Sequence, residues 1–282
     1  MIQVRQGQIR DCKDMLTVYR TTRFPERNYE SVSEVRQEHE LYVSRRWGWL
    51  VADADGPVIG EVVFDIEHNC RGPVGIILGL DVDARYQRQG VGRMLTSAAE
   101  SFLGSRGVRR VVVESPPDAY NYWMRLGYFS VGGLARIRAP LKSIAWTGRN
   151  SLDRILVDRE NGLSRVRRFH TLGRPGGLTR LIGDIVNGTR RGLVAEFRCD
   201  NRSVGLGAVV KCDGGEAVFS ADVTEDGIEH YGEVIERTVR LASTLRAKSV
   251  ETAVPADRLD DYSALCSWTV EPHVGVPLMK LL

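Results

Sequence analysis

Apolar residues along the first half of the chain follow strand spacing first and helix spacing afterwards. Short apolar runs at 2–5, 47–52, 58–64 and 75–82 predict strands, and the last is continuous enough for a strand buried on both faces. The next apolar residues recur at helical spacing: Met94, Leu95, Ala98, Ala99, Phe102 and Leu103. A β-branched run at 108–114 follows, so the pattern predicts a strand–loop–helix–strand core and an α/β fold of the α+β type with a mixed sheet.

The second half of the chain repeats this order of elements. Glu251 lies 251 − 114 = 137 positions after Glu114, and Gly227 lies 227 − 90 = 137 after Gly90. The segment 123–129 matches 262–268 at an offset of 139, and each half closes on a Pro-Leu pair. The repeat predicts two copies of one unit. Their expected bounds are 1–145 and 164–282, with a connector at 146–163 in which 155–157 can form a strand.

Composition limits the class of protein. The 282 residues include 43% hydrophobic and 27% charged residues, which is typical of globular domains, and no apolar run is long enough for a membrane span. The five cysteines form no CxxC pair, so neither a metal site nor a disulfide framework is predicted. We expect a cytoplasmic protein, since the first residues have no signal-peptide pattern. The net charge of +3 does not indicate nucleic acid.

A loop with two glycines joins the buried strand to the following helix. Gly90 and Gly92 carry no Cβ atom that would hold a ligand away from the backbone. The free N–H groups and the positive dipole end of a helix form an anion site, to which three arginines add charge: Arg85, Arg88 and Arg93. The expected ligand is a phosphate or pyrophosphate. The spacing fits neither a nucleotide triphosphatase loop nor a nicotinamide-binding loop.

This loop resembles the signature of the GNAT superfamily of N-acetyltransferases, Gln/Arg-x-x-Gly-x-Gly/Ala at a helix start. Gln87, Gly90 and Gly92 match it, and Leu80 and Val82 match the strand before it. Gly127-Tyr128, after Ala119, resembles a second family segment. The resemblance implies transfer of an acetyl group from acetyl-coenzyme A to an amine in a ternary complex. It also implies the cofactor-binding residues Leu80, Val82, Gln87, Arg88, Gln89, Gly90, Val91, Gly92 and Arg93.

The catalytic acid and base are less well marked. Trp123 stands where many family members have a catalytic tyrosine, and Pro116 where an asparagine is common. Tyr122, or else Tyr120, is the candidate acid for the leaving thiolate. Because an alkylammonium must lose a proton before it can attack, a base is also expected. Asp81 is the first candidate, and the others are Glu61, Asp65 and Glu114.

The second copy lacks the loop chemistry. At an offset of 137, the loop becomes Thr224-Glu225-Asp226-Gly227-Ile228-Glu229, whose carboxylates would repel a pyrophosphate. We therefore expect a degenerate unit without a coenzyme A site, with a structural role or a share in the acceptor cleft.

Two other functions remain open at this stage. The chain could be a coenzyme A-binding regulator without turnover, because the expected catalytic tyrosine is missing. A nucleic-acid binder could use a group of cations: Arg136, Arg138, Lys142, Arg149, Arg165, Arg167 and Arg168. That group lacks interleaved aromatic residues and is more typical of a solvated surface. The acceptor, a small amine or a protein amino group, cannot be named from the sequence.

Overall fold

The computed structural model describes residues 1–22, 29–44, 48–69, 72–148, 151–158, 176–186, 188–272 and 275–282. The first half contains β1 (Ile2–Gln6), α1 (Cys12–Thr21), α2 (Val32–Ser44), β2 (Gly48–Ala54), β3 (Val58–Asn69), β4 (Gly72–Val82), α3 (Val91–Ser105), β5 (Arg110–Ser115), α4 (Tyr120–Arg125), β6 (Phe129–Ser130) and β7 (Leu134–Pro140). The remainder contains β8 (Asp153–Leu156), α5 (Gly177–Val186), β9 (Gly192–Cys199), β10 (Arg202–Lys211), β11 (Glu216–Val223), α6 (Tyr231–Thr244), β12 (Ser249–Pro255), α7 (Asp260–Ser263), β13 (Thr269–Pro272) and β14 (Val276–Leu281).

The strands form two seven-stranded sheets with the orders β1-β2-β3-β4-β5-β14-β6 and β13-β7-β12-β11-β10-β9-β8. In the first sheet β4 and β5 are parallel and are joined through α3. In the second sheet β11 and β12 are parallel and are joined through α6. The described neighbours of these pairs are antiparallel. The mixed α/β fold and the two related units are therefore confirmed.

The two sheets exchange strands. The C-terminal strand β14 lies between β5 and β6 of the first sheet, with Leu278 opposite Val113. Conversely, β7 from the first half lies between β12 and β13 of the second sheet, with Ile137 opposite Thr252. The two sheets therefore do not coincide with the predicted unit bounds 1–145 and 164–282. Alternation of apolar residues identifies a strand but not its neighbour, and hence the exchange was not predicted.

Different helices cover the two faces of the first sheet. On one face α3 and α4 pack over a core that includes Leu95, Trp123 and Leu278. On the other face α1 packs on the sheet, with Met15 and Trp49 in the core. Residues on β3, β4 and β5 can be assigned to one face or the other because side chains alternate along a strand.

The described part of the connector, residues 146–148 and 151–158, packs with the second unit. Part of it forms β8, which pairs with β9, so the strand anticipated there is confirmed. The side chains of Thr147 and Ser151 donate hydrogen bonds to Glu236 and Glu233 of α6. The backbone N–H of Leu152 also donates to Glu233, at 3.1 Å. None of the described helices is both long and apolar enough to cross a membrane.

Candidate active site

The parallel pair β4–β5 opens part of the way along its length. The described pairing of the two strands ends at Ile77 and Val113, whereas β4 continues to Val82. Leu78 is an extra residue in the ladder with β3, because Val63 pairs with Gly79 and Phe64 with Ile77. Such a β-bulge bends and twists the strand that carries it. The bulge thus lies where β4 leaves β5, at the start of a V-shaped gap in the sheet.

The glycine loop lies at the open end of this gap. Gly90 is the N-cap of α3 and has φ 87°, and Arg88 also has a positive φ, of 60°. A Cβ atom at Gly90 would meet no atom within 4 Å, so this position opens onto free space. The first turn of α3 begins at Val91, and its N–H groups have no partners within the helix.

The polar side chains of the loop divide into two groups. Gln87 and Gln89 donate to the carbonyls of Val82 and Arg85, at 3.0 and 2.9 Å, and so hold the loop in shape. Arg85 pairs with Asp83 at 2.6 Å, and its guanidinium lowers the pKa of that carboxyl. Arg88 and Arg93 are exposed. The sequence placed Arg85 among the mobile charges, but Asp83 holds it.

Tyr122 lies on α4, and its side chain contacts α3. Its hydroxyl is 2.8 Å from Thr96 Oγ1, and a Cβ atom at Gly92 would stand 3.2 Å from it. Burial raises the pKa of the phenol to about 12. Leu103 packs on Gly75. From Leu103 back to Thr96 there are seven helical residues, which rise about 10 Å. Three strand residues, from Gly75 to Leu78, span about the same length. Thr96 therefore lies level with Leu78, where the gap begins.

The other aromatic candidates are placed differently. Trp123 is buried, with its ring 5.0 Å from the rings of both Tyr122 and Tyr128, measured between centroids. Trp123 therefore has a packing role in the hydrophobic core. Tyr120 is half-buried and packs at the edge of the same core.

The candidate bases lie on the face of the sheet remote from α3. Asp81 faces away from Leu80 and Val82, as predicted, but it is only 3% exposed. It pairs in register with Glu61, whose carboxylate accepts hydrogen bonds from Tyr19, His39 and Trp49. Glu61 is thus engaged in a buried network and is poorly placed to receive a substrate proton. Asp65 and Glu114, half-buried, are the more accessible carboxylates.

The second unit has the same elements but a different loop. Aligning the starts of α3 and α6 gives an offset of 231 − 91 = 140, and aligning those of α4 and α7 gives 260 − 120 = 140. The sequence offset of 137 is therefore wrong in the loop. Gly227 corresponds to Gln87 rather than to Gly90, and His230, with φ −91°, stands in place of Gly90. Gly227 is buried, and a Cβ atom there would lie 2.2 Å from the carbonyl oxygen of Val204.

Aromatic residues fill the corresponding space in the second unit. At an offset of 140, Tyr262 corresponds to Tyr122 and Tyr231 to Val91. The two hydroxyls are 3.0 Å apart and buried. In addition, β10 and β11 pair without a bulge from Gly205–Val223 to Lys211–Ala217. The second unit thus lacks both the bulge and the left-handed glycine of the first.

Some of the cations considered for a nucleic-acid site form ion pairs with carboxylates. Arg138 forms an ion pair with Glu216, and Arg136 lies 3.5 Å from Glu251. Arg149 and the three arginines at 165, 167 and 168 lie outside the described residues.

The first unit therefore combines a glycine loop at a helix start with a bulged strand pair that parts, and the second unit has the same elements with an altered loop. Residues 12–128 match the model of the acetyltransferase (GNAT) family. Among curated proteins, no sequence matches the chain. Residues 12–128 are thus similar to the GNAT family, whose members are acyltransferases, and the whole chain has the fold of a tandem GNAT protein.

Solved structures support the tandem arrangement over the whole length. A GCN5-related N-acetyltransferase from Kribbella flavida is 14% identical with a TM-score of 0.61, over 100% of this chain and 71% of that one. A tandem GNAT protein from the clavulanic acid biosynthesis pathway is 15% identical with a TM-score of 0.55, over 100% and 98% of the two chains. A putative acetyltransferase from Pyrococcus horikoshii is 14% identical with a TM-score of 0.57, over 100% and 89%. At these identities the likeness establishes the fold.

Proposed function

We propose that the first unit is an acetyl-coenzyme A dependent N-acetyltransferase that acts on an amine by direct transfer in a ternary complex. The observation that carries the proposal is the left-handed Gly90 at the start of α3, next to the gap between β4 and β5. The acceptor is a small molecule or a protein amino group. The described cysteines are free, in keeping with the cytoplasmic setting that we propose.

The residues of the loop fit a pyrophosphate. The N–H groups at the start of α3 and its positive dipole end favour an anion, and the open space at Gly90 admits it to the backbone. Exposed Arg88 and Arg93 add charge-assisted hydrogen bonds. Leu80 and Val82, on the strand that borders the gap, would flank the pantetheine arm of the cofactor.

The chemistry requires a proton to leave the amine and a proton to reach the sulfur. Bound acetyl-coenzyme A supplies an acyl carbon attached to a good leaving thiol. Tyr122, with a pKa of about 12, stays protonated at neutral pH and can donate its proton at the point where the gap begins. Asp81 on β4 is the first candidate base, reached directly or through water, with Glu114 on β5 as the alternative.

Replacing Gly90 by glutamate tests the cofactor site. A carboxylate at this position removes room for the pyrophosphate and repels it. Because one charge-assisted hydrogen bond contributes about 1.5–3 kcal/mol, we expect at least roughly tenfold weaker binding of acetyl-coenzyme A by calorimetry. Gly107→Glu is the matched control, since Gly107 also has a positive φ and open space but lies beyond the other end of α3. Equal affinities in the parent and Gly90→Glu would refute the site.

A regulator that binds coenzyme A without turnover is the second candidate, because Trp123 is buried where the family tyrosine is expected. Release of free thiol from acetyl-coenzyme A in the presence of a panel of amines separates the two. Turnover with any amine supports the enzyme. Tight binding with no thiol release above the rate of hydrolysis supports the regulator.

A further inference from the structure

The exchanged strand β14 brings a lysine from the end of the chain into the first unit. Lys280 pairs in register with Val111, and Leu278, two residues earlier, lies in the core under α3 and α4. Lys280 therefore faces the same side of the sheet. Its Nζ is 2.8 Å from Glu100 Oε2 and 5.7 Å from the centroid of the Tyr128 ring.

Glu100 joins this lysine to the proposed acid. It lies one helical turn after Thr96 on α3, and Thr96 Oγ1 is 2.8 Å from the Tyr122 hydroxyl. Residues four apart occupy the same stripe of a helix. The Glu100 side chain is 14% exposed and that of Lys280 is 25% exposed. Within the described part of the chain, Glu100 Oε1 and the Tyr128 hydroxyl are both buried without a hydrogen-bond partner, while Glu100 Oε2 holds Lys280.

Besides burial, the negative charge of Glu100 contributes to the raised pKa of both Tyr122 and Tyr128. Burial is the main cause of the raised pKa of Tyr122, the hydrogen bond from Thr96 opposes it, and the negative charge of Glu100 adds to it. Burial and then Glu100 raise the pKa of Tyr128 as well. A cation beside Glu100 offsets this charge, which makes the phenols better proton donors.

We propose that Lys280 is a positioning residue of the first unit, which acts through Glu100 to keep Tyr122 an effective donor towards the sulfur of bound coenzyme A. This proposal rests on the proposed function, and it assigns to the second half of the chain a direct part in the site of the first. Tyr122 on α4, Glu100 on α3, Tyr128 before β6 and Lys280 on β14 are the titratable groups that face one another here.

The pKa of the thiol of bound coenzyme A is the readout, because a donor that faces the sulfur stabilises its thiolate. The full chain is titrated with and without coenzyme A, and the difference in thiolate absorbance removes the contribution of the protein's own cysteines. We expect Lys280→Met to raise the thiol pKa by about one unit, because Tyr122 beside an uncompensated Glu100 becomes a weaker donor towards the sulfur. Glu100→Gln should lower it by a similar amount, and Lys280→Arg should leave it near the parent value.

A double-mutant cycle shows whether the effect passes through Tyr122. In a Tyr122→Phe background, Lys280→Met should shift the thiol pKa much less than in the parent. The proposal is overturned if neither Lys280→Met nor Glu100→Gln shifts the thiol pKa, or if the shifts are the same without the phenol. If Lys280→Met does not fold, the lower thiol pKa expected of Glu100→Gln still tests the proposal. Failure of the parent to bind coenzyme A would overturn the proposed function itself, whereas binding with unchanged thiol titrations would overturn this inference alone.

Discussion

Gly90 and Gly92 serve the same loop through different properties. At Gly90 the backbone is left-handed and the space around it is open, so glycine provides both the conformation and the access. At Gly92 the nearest atom to an added Cβ would be the Tyr122 hydroxyl, at 3.2 Å. The second glycine therefore leaves room for the phenol that we propose as the acid.

Tyr122→Phe tests that role. The substitution removes the hydroxyl but keeps the ring that packs on Trp123. Because general acid catalysis contributes about 10²–10⁴-fold, kcat should fall by at least about a hundredfold. The affinity for acetyl-coenzyme A, measured by calorimetry, should change little. Tyr120→Phe is the control, and a Tyr122→Phe enzyme with kcat within a factor of a few of the parent would direct attention to Tyr120.

A buried charge pair stabilises the other face of the first sheet. His39 Nδ1 lies 2.7 Å from the carbonyl oxygen of Val35, and Nε2 lies 2.9 Å from Glu61 Oε2. Both acceptors require a donor, so both ring nitrogens carry hydrogen and the imidazole is cationic. Burial acts against the imidazolium, but Glu61 outweighs it, and the pKa of His39 is raised.

The pair makes stability depend on pH. A histidine whose pKa is raised in the folded state contributes fully below its unfolded pKa of about 6.5 and loses that contribution as pH rises through the folded value. Between about pH 6 and pH 10, the free energy of unfolding in urea should fall more for the parent than for His39→Gln. The variant should also be about 3–5 kcal/mol less stable near pH 6, since Glu61 loses its buried partner. His230→Gln, which alters the pair of a half-buried histidine with the exposed Glu229, serves as control. Parallel pH profiles for the parent and His39→Gln would contradict the assignment.

At the level of elements, hydrophobic periodicity predicted most strands and helices but not their neighbours. The apolar run at 75–82 became the end of β4, and the helical spacing from Met94 became α3. The bulge at Leu78 could not be predicted, because the residue is apolar like its neighbours and only the ladder with β3 shows the extra position. The loop offset was wrong because glycine identity was used to align Gly227, a glycine that the structure buries against Val204.

The exchange of strands means that neither half is complete alone. Without β14, a chain of residues 1–145 lacks the strand between β5 and β6 and exposes the site of Leu278, which is fully buried in the whole chain. We expect this fragment to unfold at a markedly lower temperature by circular dichroism, or to aggregate. Appending residues 275–282 through a flexible linker should restore stability and acetyl-coenzyme A binding, whereas a scrambled version of that segment should not. A fragment 1–145 as stable as the full chain would show that β14 is dispensable.

At the scale of the whole molecule, the two units differ at the place where the cofactor would enter. In the first unit the left-handed Gly90 opens onto free space, whereas in the second unit His230 stands in its place and the buried Tyr231 replaces Val91. Glu225, Asp226 and Glu229 lie just before α6 and add negative charge. The expectation of a second unit without coenzyme A thus gains a steric argument beside its electrostatic one.

We therefore expect one coenzyme A per chain, not two, from calorimetric stoichiometry. Like charges near a pyrophosphate cost about 1 kcal/mol each at a surface and more when less solvated, which outweighs roughly 0.3–1 kcal/mol from a helix dipole. Gly90→Glu should abolish this single site, so residual binding in that variant at a second stoichiometric site would contradict the argument. Tyr231→Val, which restores the small residue of the first unit, is a control for steric exclusion alone and should leave the stoichiometry at one.

The strand exchange also limits how such a chain can change over evolutionary time. In a simple tandem repeat, recombination within the connector can replace one copy and leave the other intact. Here a crossover in that segment would separate β14 from the sheet that it completes and would leave β7 facing a foreign second half. Substitutions on β14 and on the neighbouring β5 must remain compatible although the paired residues lie far apart in the sequence; Val111 and Lys280, for example, are 280 − 111 = 169 positions apart. The two copies are thereby inherited as one unit, even though only the first has the features of a cofactor site.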